Sequence, residues 1–120
     1  IWTKAEEAGG AVDKSSWTPG YTAVNYPLMR FADVLLMAAE CEVEVGSLET
    51  ARTYVNRVRA RAANTAGFVM DGTNPAANYS INEYTAPWTD QGVARNAVRM
   101  ERRLELSDEG HRFFDLVRWG

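Results

Sequence analysis

Charged side chains in the first apolar run of the chain are the residues best placed to do chemistry. The stretch RFADVLLMAAE, residues 30–40, is mostly apolar and yet contains Arg30, Asp33 and Glu40. On a helical wheel at about 100° per residue, these side chains and Glu44 fall within an arc of about 80°. So narrow a polar strip on an otherwise apolar helix predicts that its carboxylates are partly buried and need charged or hydrogen-bonded partners.

Arginines in the last quarter of the chain are the expected partners, and they are Arg95, Arg99, Arg102, Arg103, Arg112 and Arg118. A planar guanidinium satisfies both oxygens of a carboxylate together. We therefore expect Asp33 or Glu40 to contact an arginine from residues 95–118. The residues assigned to such structural ion pairs are Arg30, Asp33, Glu40, Glu101, Arg102, Arg103, Asp115 and Arg118.

Catalytic roles for the same residues have less support in the sequence than structural ion pairs. A glycosidase needs two carboxyl groups opposed across a cleft, whereas Asp33 and Glu40 lie on one predicted helix with no sign of a cleft between them. His111 has acids beside it in the sequence, but adjacency does not give the geometry of a catalytic triad. A C-cap role beyond Gly110 is the expectation for His111, and we predict no catalytic residue.

Metal and cofactor sites have little support in the sequence. Asp71, Gly72 and Asn74 resemble half of a calcium loop, but the other acidic ligands at EF-hand spacing are absent. One cysteine and one histidine do not make a structural zinc site. Cys41 stands among apolar neighbours in a predicted helix, where it is expected to behave as a small hydrophobic residue.

Aromatic residues in the predicted loops are the candidates for ligand binding. They stand in segments rich in Gly, Pro, Ser, Thr and Asn, a mixture that can stack on a sugar ring and hydrogen-bond its hydroxyl groups. The alternative is that these rings only pin long loops to the helices. The residues concerned are Trp17, Tyr21, Tyr79, Tyr84 and Trp88.

Two helices separated by a very short link must position the charged strip. Apolar density rises at Pro27, which suits a first helical turn, and predicts a helix over about 27–45. Gly46 ends it, and Ser47 can N-cap a second helix over about 48–63. A link of one or two residues predicts an antiparallel helical hairpin.

The remaining segments alternate between loop and helix. Residues 1–26 lack any period and are expected to be loop, with at most one short strand, and residues 64–92 are too rich in Gly and Pro for a long regular element. A helix over about 93–109 is predicted from the spacing of Val93, Ala97, Met100 and Leu104. A short helix is expected over about 111–118. The predicted fold class is all-α, a tetratricopeptide-like helical hairpin plus a C-terminal helix, with long irregular loops.

Length, charge and apolar content limit the number of domains and the classes of partner that the sequence allows. The 120 residues, 46% of them apolar, suit one globular unit. A net charge of −3 gives no basic surface for nucleic acid. No run approaches the roughly 20 apolar residues that span a bilayer, and no signal peptide opens the chain. A start at Ile1 and an end at LVRWG predict a fragment of something longer.

Several motifs together resemble the C-terminal signature of the SusD/RagB family. They are NYPLMRFADVLLMAAECEVEVG at 25–46, VNRVRARA at 55–62 and RMERRLELSDEGHRFFDLVRWG at 99–120. Their order, spacing and residue identities match the family pattern, and they cover about half of the chain.

The resemblance implies a binding protein and not an enzyme. Family members are lipid-anchored on the outer face of the outer membrane, capture glycans or other nutrients and load them into a TonB-dependent transporter of the SusC type. Their fold is mostly α, with tetratricopeptide-like helix pairs. The lipid-bearing cysteine would lie outside this chain, and no ligand contact can be transferred to a residue here. A helical-repeat module that binds protein remains the alternative, and a hydrolase a weaker one.

Overall fold

The computed structural model describes residues 28–120 of the chain. Helices dominate this part: α1 (Phe31–Val45), α2 (Leu48–Ala62), α3 (Gln91–Glu105) and α4 (His111–Trp119). A 3₁₀ turn (Thr65–Gly67) and a two-stranded antiparallel hairpin of β1 (Met70–Asp71) and β2 (Asn74–Pro75) lie between α2 and α3. This architecture confirms the predicted all-α fold class.

The first helix begins later than the sequence indicated. Arg30 is its N-cap residue, with φ −108° and ψ 156°, so the chain is extended there and residues 28–30 are not helical. The predicted start at 27 is wrong for this reason, and Pro27 itself lies outside the described residues. The extended backbone carries the Arg30 side chain to the far end of α3.

The link between α1 and α2 has local causes that the sequence makes visible. The Ser47 hydroxyl accepts a hydrogen bond from the backbone N–H of Thr50 at 3.3 Å, which caps α2. The side chain of Glu42 folds over Gly46 to accept the backbone N–H of Ser47 at 2.9 Å. A Cβ at position 46 would collide with that carboxylate, so glycine suits the position. The two helices pack against each other as a hairpin.

The core is a three-helix contact in which small residues bring the backbones close. Ala39, Ala51 and Ala94 are fully buried, one on each of α1, α2 and α3. Around them lie the larger core side chains Leu35, Leu36, Val43, Val55, Val58, Trp88 and Val98. Burying an aliphatic side chain of this size stabilises the fold by about 1.5–3 kcal/mol. The core therefore holds α1, α2 and α3 together.

The third helix is shifted toward the N-terminus relative to the predicted 93–109. Asp90 caps it, since its Oδ1 accepts the backbone N–H of Val93 at 2.7 Å. At the other end, Arg30 donates to the backbone oxygen of Glu105 at 2.9 Å, where the helix stops. Residues 106–110 form a turn in which Asp108 and Gly110 have φ values of 64° and 80°.

The fourth helix follows that turn directly. His111 is its first residue, so the expected C-cap role for His111 is wrong; the positive φ of Gly110 turns the chain straight into α4. α4 ends at Trp119, one residue beyond the predicted end. Within residues 28–120, no helix has the length and apolar character needed to cross a membrane.

Candidate functional site

Opposite charges pair along the whole length of α1. Glu44 accepts from Arg95 Nε at 2.6 Å and Asp33 from Arg102 Nη1 at 2.7 Å. Arg30 donates from Nη1 to Glu105 Oε1 at 2.8 Å. Residue numbers rise along α1 as they fall along α3, so the two helices run antiparallel with their charged residues in register. We call this set of pairs the charged ladder.

Arg102 is the buried centre of the ladder. Its side chain is 4% exposed, and its Nε donates to Asp115 Oδ2 at 2.9 Å while its Nη1 contacts Asp33. Both carboxylates are similarly covered, at 5% and 6%. One guanidinium thus joins α1, α3 and α4, which satisfies the requirement that buried charges be paired.

Glu40 fixes the end of α4. One of its oxygens accepts from Arg118 Nη2 at 2.8 Å, and the other accepts the indole N–H of Trp119. The Arg99 guanidinium lies over the Trp119 ring, 4.7 Å from its centroid. The contact expected between an acid of the first helix and an arginine of residues 95–118 is therefore present for both Asp33 and Glu40.

Pairs from α2 to α3 were not anticipated. Arg59 Nη1 lies 2.6 Å from Glu101 Oε2, and Arg61 contacts Glu105. Their spacing of two along α2 offers no helical-face signal, since residues two apart point in different directions. Arg103 was assigned to a structural ion pair, but it is exposed and forms no salt bridge within residues 28–120. A rotation of about 100° from Arg102 turns it away from the ladder.

Hydrogen bonds from arginine lower the pKa of three carboxyl groups in or beside the charged ladder. Burial works to raise the pKa of Asp115, but hydrogen bonds from Arg102 and Arg118 outweigh it and hold that pKa below its ordinary value. A hydrogen bond from Arg30 lowers the pKa of Glu109. The same kind of bond from Arg95 lowers the pKa of Glu44. None of these shifts would help a carboxyl group deliver a proton near neutral pH.

The geometry of Asp33 and Glu40 does not resemble that of a glycosidase pair. Each carboxylate is engaged by an arginine, and Glu40 also by Trp119, so their oxygens are occupied by fixed donors. Catalytic carboxyls need free access to a substrate and a water molecule. The arrangement positions helices, and we find no acid–base chemistry that it would perform.

Of the candidate ligand-binding aromatics, Trp88 belongs to the core and Tyr84 is half-buried against it. Trp88 is 8% exposed and packs edge-on against Tyr84, with ring centroids 5.3 Å apart. Asn56 of α2 accepts the Tyr84 backbone N–H at 2.8 Å and donates to the Tyr84 carbonyl at 2.9 Å. Glu49 accepts the backbone N–H of Trp88. The buried Trp88 ring offers no face for a sugar, so for this residue the alternative, a loop anchor, describes the structure.

Tyr79 also makes contacts within the protein, to neighbouring residues of the same loop. Its ring stacks on Phe68 with centroids 4.1 Å apart, and its hydroxyl accepts the backbone N–H of Val69 at 3.2 Å. The ring remains half-buried, so part of it still meets solvent. Trp17 and Tyr21 lie outside the described residues.

The residues that resembled half of a calcium loop and the single cysteine lie in separate parts of the structure. Asp71 pairs with Asn74 across the small hairpin, and Gly72 with φ 61° makes its turn. In the part of the chain that the structure describes, no three side chains of metal-binding type come together. Cys41, which was expected to behave as a small hydrophobic residue, is exposed on α1.

Two open concavities flank the helices. The first, of about 320 Å³, lies between the start of α1 and the end of α2, with an apolar floor and an arginine rim. Its lining residues are Arg30, Phe31, Ala32, Leu35, Arg57, Val58 and Arg61. The second, of about 420 Å³, lies between α1 and α4 beside Trp119. Both are shallow openings formed where helices diverge, and neither contains the loop aromatics.

The fold and the ladder together define an α-helical scaffold protein built on a helical hairpin. The SusD family model matches residues 5–120, and the chain belongs to the SusD family. It is similar to three proteins of Formosa agariphila. SusD-like protein P25 is 40% identical over 96 residues, which cover 80% of this chain and 15% of that protein.

The other two relatives have similar identity and coverage. SusD-like protein P38 is 35% identical over 88% of this chain and 19% of its own length. SusD-like protein P2 is 37% identical over 81% of this chain and 17% of its own length. The chain therefore spans less than a fifth of each of these relatives. No solved structure matches the chain.

Proposed function

We propose that these residues belong to a surface nutrient-binding protein that captures glycan or a similar nutrient and passes it to a TonB-dependent transporter of the SusC type. The observation that carries this proposal is membership of the SusD family over residues 5–120. A lipid anchor outside this chain would hold the protein on the outer face of the outer membrane. The charged ladder fits a scaffold role for this segment, because its carboxylates are engaged by internal arginines.

In this proposal, ligand specificity belongs to loops. Trp17 and Tyr21 stay candidates for stacking on a sugar ring, and Tyr79 keeps part of its ring exposed. Trp88 is not among the proposed contacts, because it is buried in the core. This division assigns the helices to support and the loops to recognition.

Calorimetric titration of the full-length protein with a panel of oligosaccharides tests the ligand class. We expect saturable binding of at least one glycan, weakened by Trp17→Ala or Tyr21→Ala and unchanged by Arg103→Ala. Co-purification with a SusC-type transporter tests the second half of the proposal. Absence of binding across the panel, together with binding of a peptide, would overturn the glycan assignment.

A protein-binding module is the second candidate, and the groove between α1 and α2 is the observation that favours it. Arg57 stands at its rim, exposed, with its guanidinium over the Phe31 ring at 5.7 Å. An apolar floor between arginines suits a peptide with aliphatic and acidic side chains. Titration with such peptides distinguishes the candidates: Arg57→Glu would abolish peptide binding and leave glycan binding intact.

A further inference from the structure

α4 turns its charged side inward and its apolar side outward. Asp115 is 4% exposed, whereas the four large apolar residues of the helix are at least half exposed. These residues are Phe113 at 69%, Phe114 at 70%, Leu116 at 50% and Val117 at 67%. On a helical wheel they fill an arc of about 160°, with Asp115 directly opposite its centre. The contacts described for α4 are its ion pairs and the contacts of Trp119.

α3 exposes a second apolar stripe besides the apolar residues of its buried face. Its apolar stripe contains Val93 at 64%, Met100 at 49% and Leu104 at 60% exposed. The stripe is turned about 120° from the centre of the buried face. That buried face contains Ala94, Val98, Glu101 and Arg102. The buried charges are compensated by ladder and α2 partners, but the stripe has no comparable cover within residues 28–120.

Two neighbouring helices that both expose such stripes are unusual in a complete soluble domain, where large apolar patches mark interaction sites. The length of the relatives indicates the occupant. The matched region is 15–19% of each SusD-like protein from Formosa agariphila, so most of a family member has no counterpart in these 120 residues. Permanent interfaces are more apolar than transient ones. The 160° arc of α4 contains only apolar residues, and the polar residues of the helix lie outside it.

We infer that the outward stripes of α3 and α4 are permanent docking surfaces, which are covered in the full-length SusD-like protein by apolar side chains from the polypeptide outside residues 28–120. The ion pairs of Asp115 and Arg118 hold α4 in place from one side, and the docked polypeptide covers the other. The inference rests on family membership and on burial, and it is independent of which ligand the protein binds.

Cysteine labelling of the full-length protein tests this inference. Val93→Cys and Val117→Cys are nearly isosteric changes on the two stripes, made in a Cys41→Ala background because Cys41 is itself exposed. Ser107→Cys, on the exposed turn between α3 and α4, is the matched control. A water-soluble maleimide should label both stripe cysteines at least tenfold more slowly than the control.

Two outcomes would overturn the inference. Equal labelling of stripe and control cysteines in the full-length protein would show that the stripes are open to solvent. Protection that disappears on dilution would show that a second copy, and not the same polypeptide, covers them. Neither outcome depends on glycan binding, so calorimetry on the same preparation separates a failure of this inference from a failure of the proposed function.

Discussion

Arg102 and Asp33, which are 69 residues apart in the sequence, form a buried ion pair with Nη1 2.7 Å from Oδ1. The same guanidinium reaches Asp115 with its Nε, so one side chain bridges two buried carboxylates, and Arg118 supplies a second positive charge at Asp115. The pair sets the register of α1 against α3, and the second contact places α4 on both. Its role is tested by removing the arginine.

Replacing Arg102 by Met should destabilise the fold strongly. The substitution keeps much of the side-chain volume but leaves buried Asp33 without a counter-charge and Asp115 with Arg118 alone, which costs about 3–5 kcal/mol. Urea denaturation monitored by circular dichroism measures the change in the free energy of unfolding. The matched control is Arg103→Met, at the exposed neighbouring position, with an expected change within about 0.5 kcal/mol. Similar losses for both variants would contradict a special role for Arg102.

Acid should weaken the attachment of α4. The pKa of Asp115 is lower in the folded protein than its ordinary value, so its ionised form contributes stability above the unfolded pKa of about 3.9. That contribution is lost as pH falls through the folded pKa, because between the two pKa values the unfolded carboxyl group binds protons more readily than the folded one. Unfolding free energies measured between about pH 6 and pH 3 should fall steadily, with part of the slope due to Asp115.

The Asp115→Asn variant isolates that part of the slope. It should be less stable than the parent protein near neutral pH and should lose less stability on acidification. Glu109 and Glu44 also have lowered pKa values and supply the slope that remains. An unchanged acid slope in Asp115→Asn would show that this carboxylate does not contribute to the pH dependence.

Trp88→Ala should impair folding and leave any glycan contact untouched. The ring is 8% exposed and packs in the core beside Tyr84, so truncation creates a cavity that costs about 3–5 kcal/mol. Thermal or urea denaturation measures the loss, and Trp88→Phe should recover part of it by refilling the site. A variant of normal stability with weaker oligosaccharide binding would contradict this assignment and restore the sugar-stacking hypothesis.

Ala51→Leu should destabilise the hairpin by overpacking. Ala51 is fully buried where α2 approaches α1, and extra methylene groups there would cost about 1–3 kcal/mol. Ala60→Leu, on the exposed side of the same helix, is the control and should be close to neutral. Denaturation curves of the two variants give the comparison. Equal stability would indicate that the helices can separate without cost.

Local chemistry explains why much of the helical framework was predictable. The Ser47 cap and Gly46 mark the link between α1 and α2 within a few residues of sequence. The start of α3 was missed because Asp90 follows Trp88 and Thr89 in a loop, with no apolar period to identify it as a cap. The start of α1 was placed too early because Arg30 is drawn into an extended conformation by acids 75 and 79 residues away.

The candidate ligand site was predicted less well than the ladder. Aromatic residues in loops look alike in sequence whether they face a ligand or the core. Trp88 proved to be a core residue because Glu49 on α2 binds its backbone N–H and Asn56 binds the backbone of Tyr84, which together hold the loop on the helices. No local sequence pattern indicates those two contacts, because Glu49 and Asn56 are distant in sequence from the loop.

The sequence by itself determined the family, the all-α class and the presence of a carboxylate–arginine network, because motif spacing, helical period and capping are local properties. Only the tertiary structure decided which arginine each acid receives and which face of α3 is buried. Arg102 and Arg103 are equivalent in sequence, yet one lies at the centre of three helices and the other in solvent. Compensating charges on α1, α2 and α4 allow Glu101 and Arg102 to be buried beside Ala94 and Val98, and a second apolar stripe of α3 is left outside.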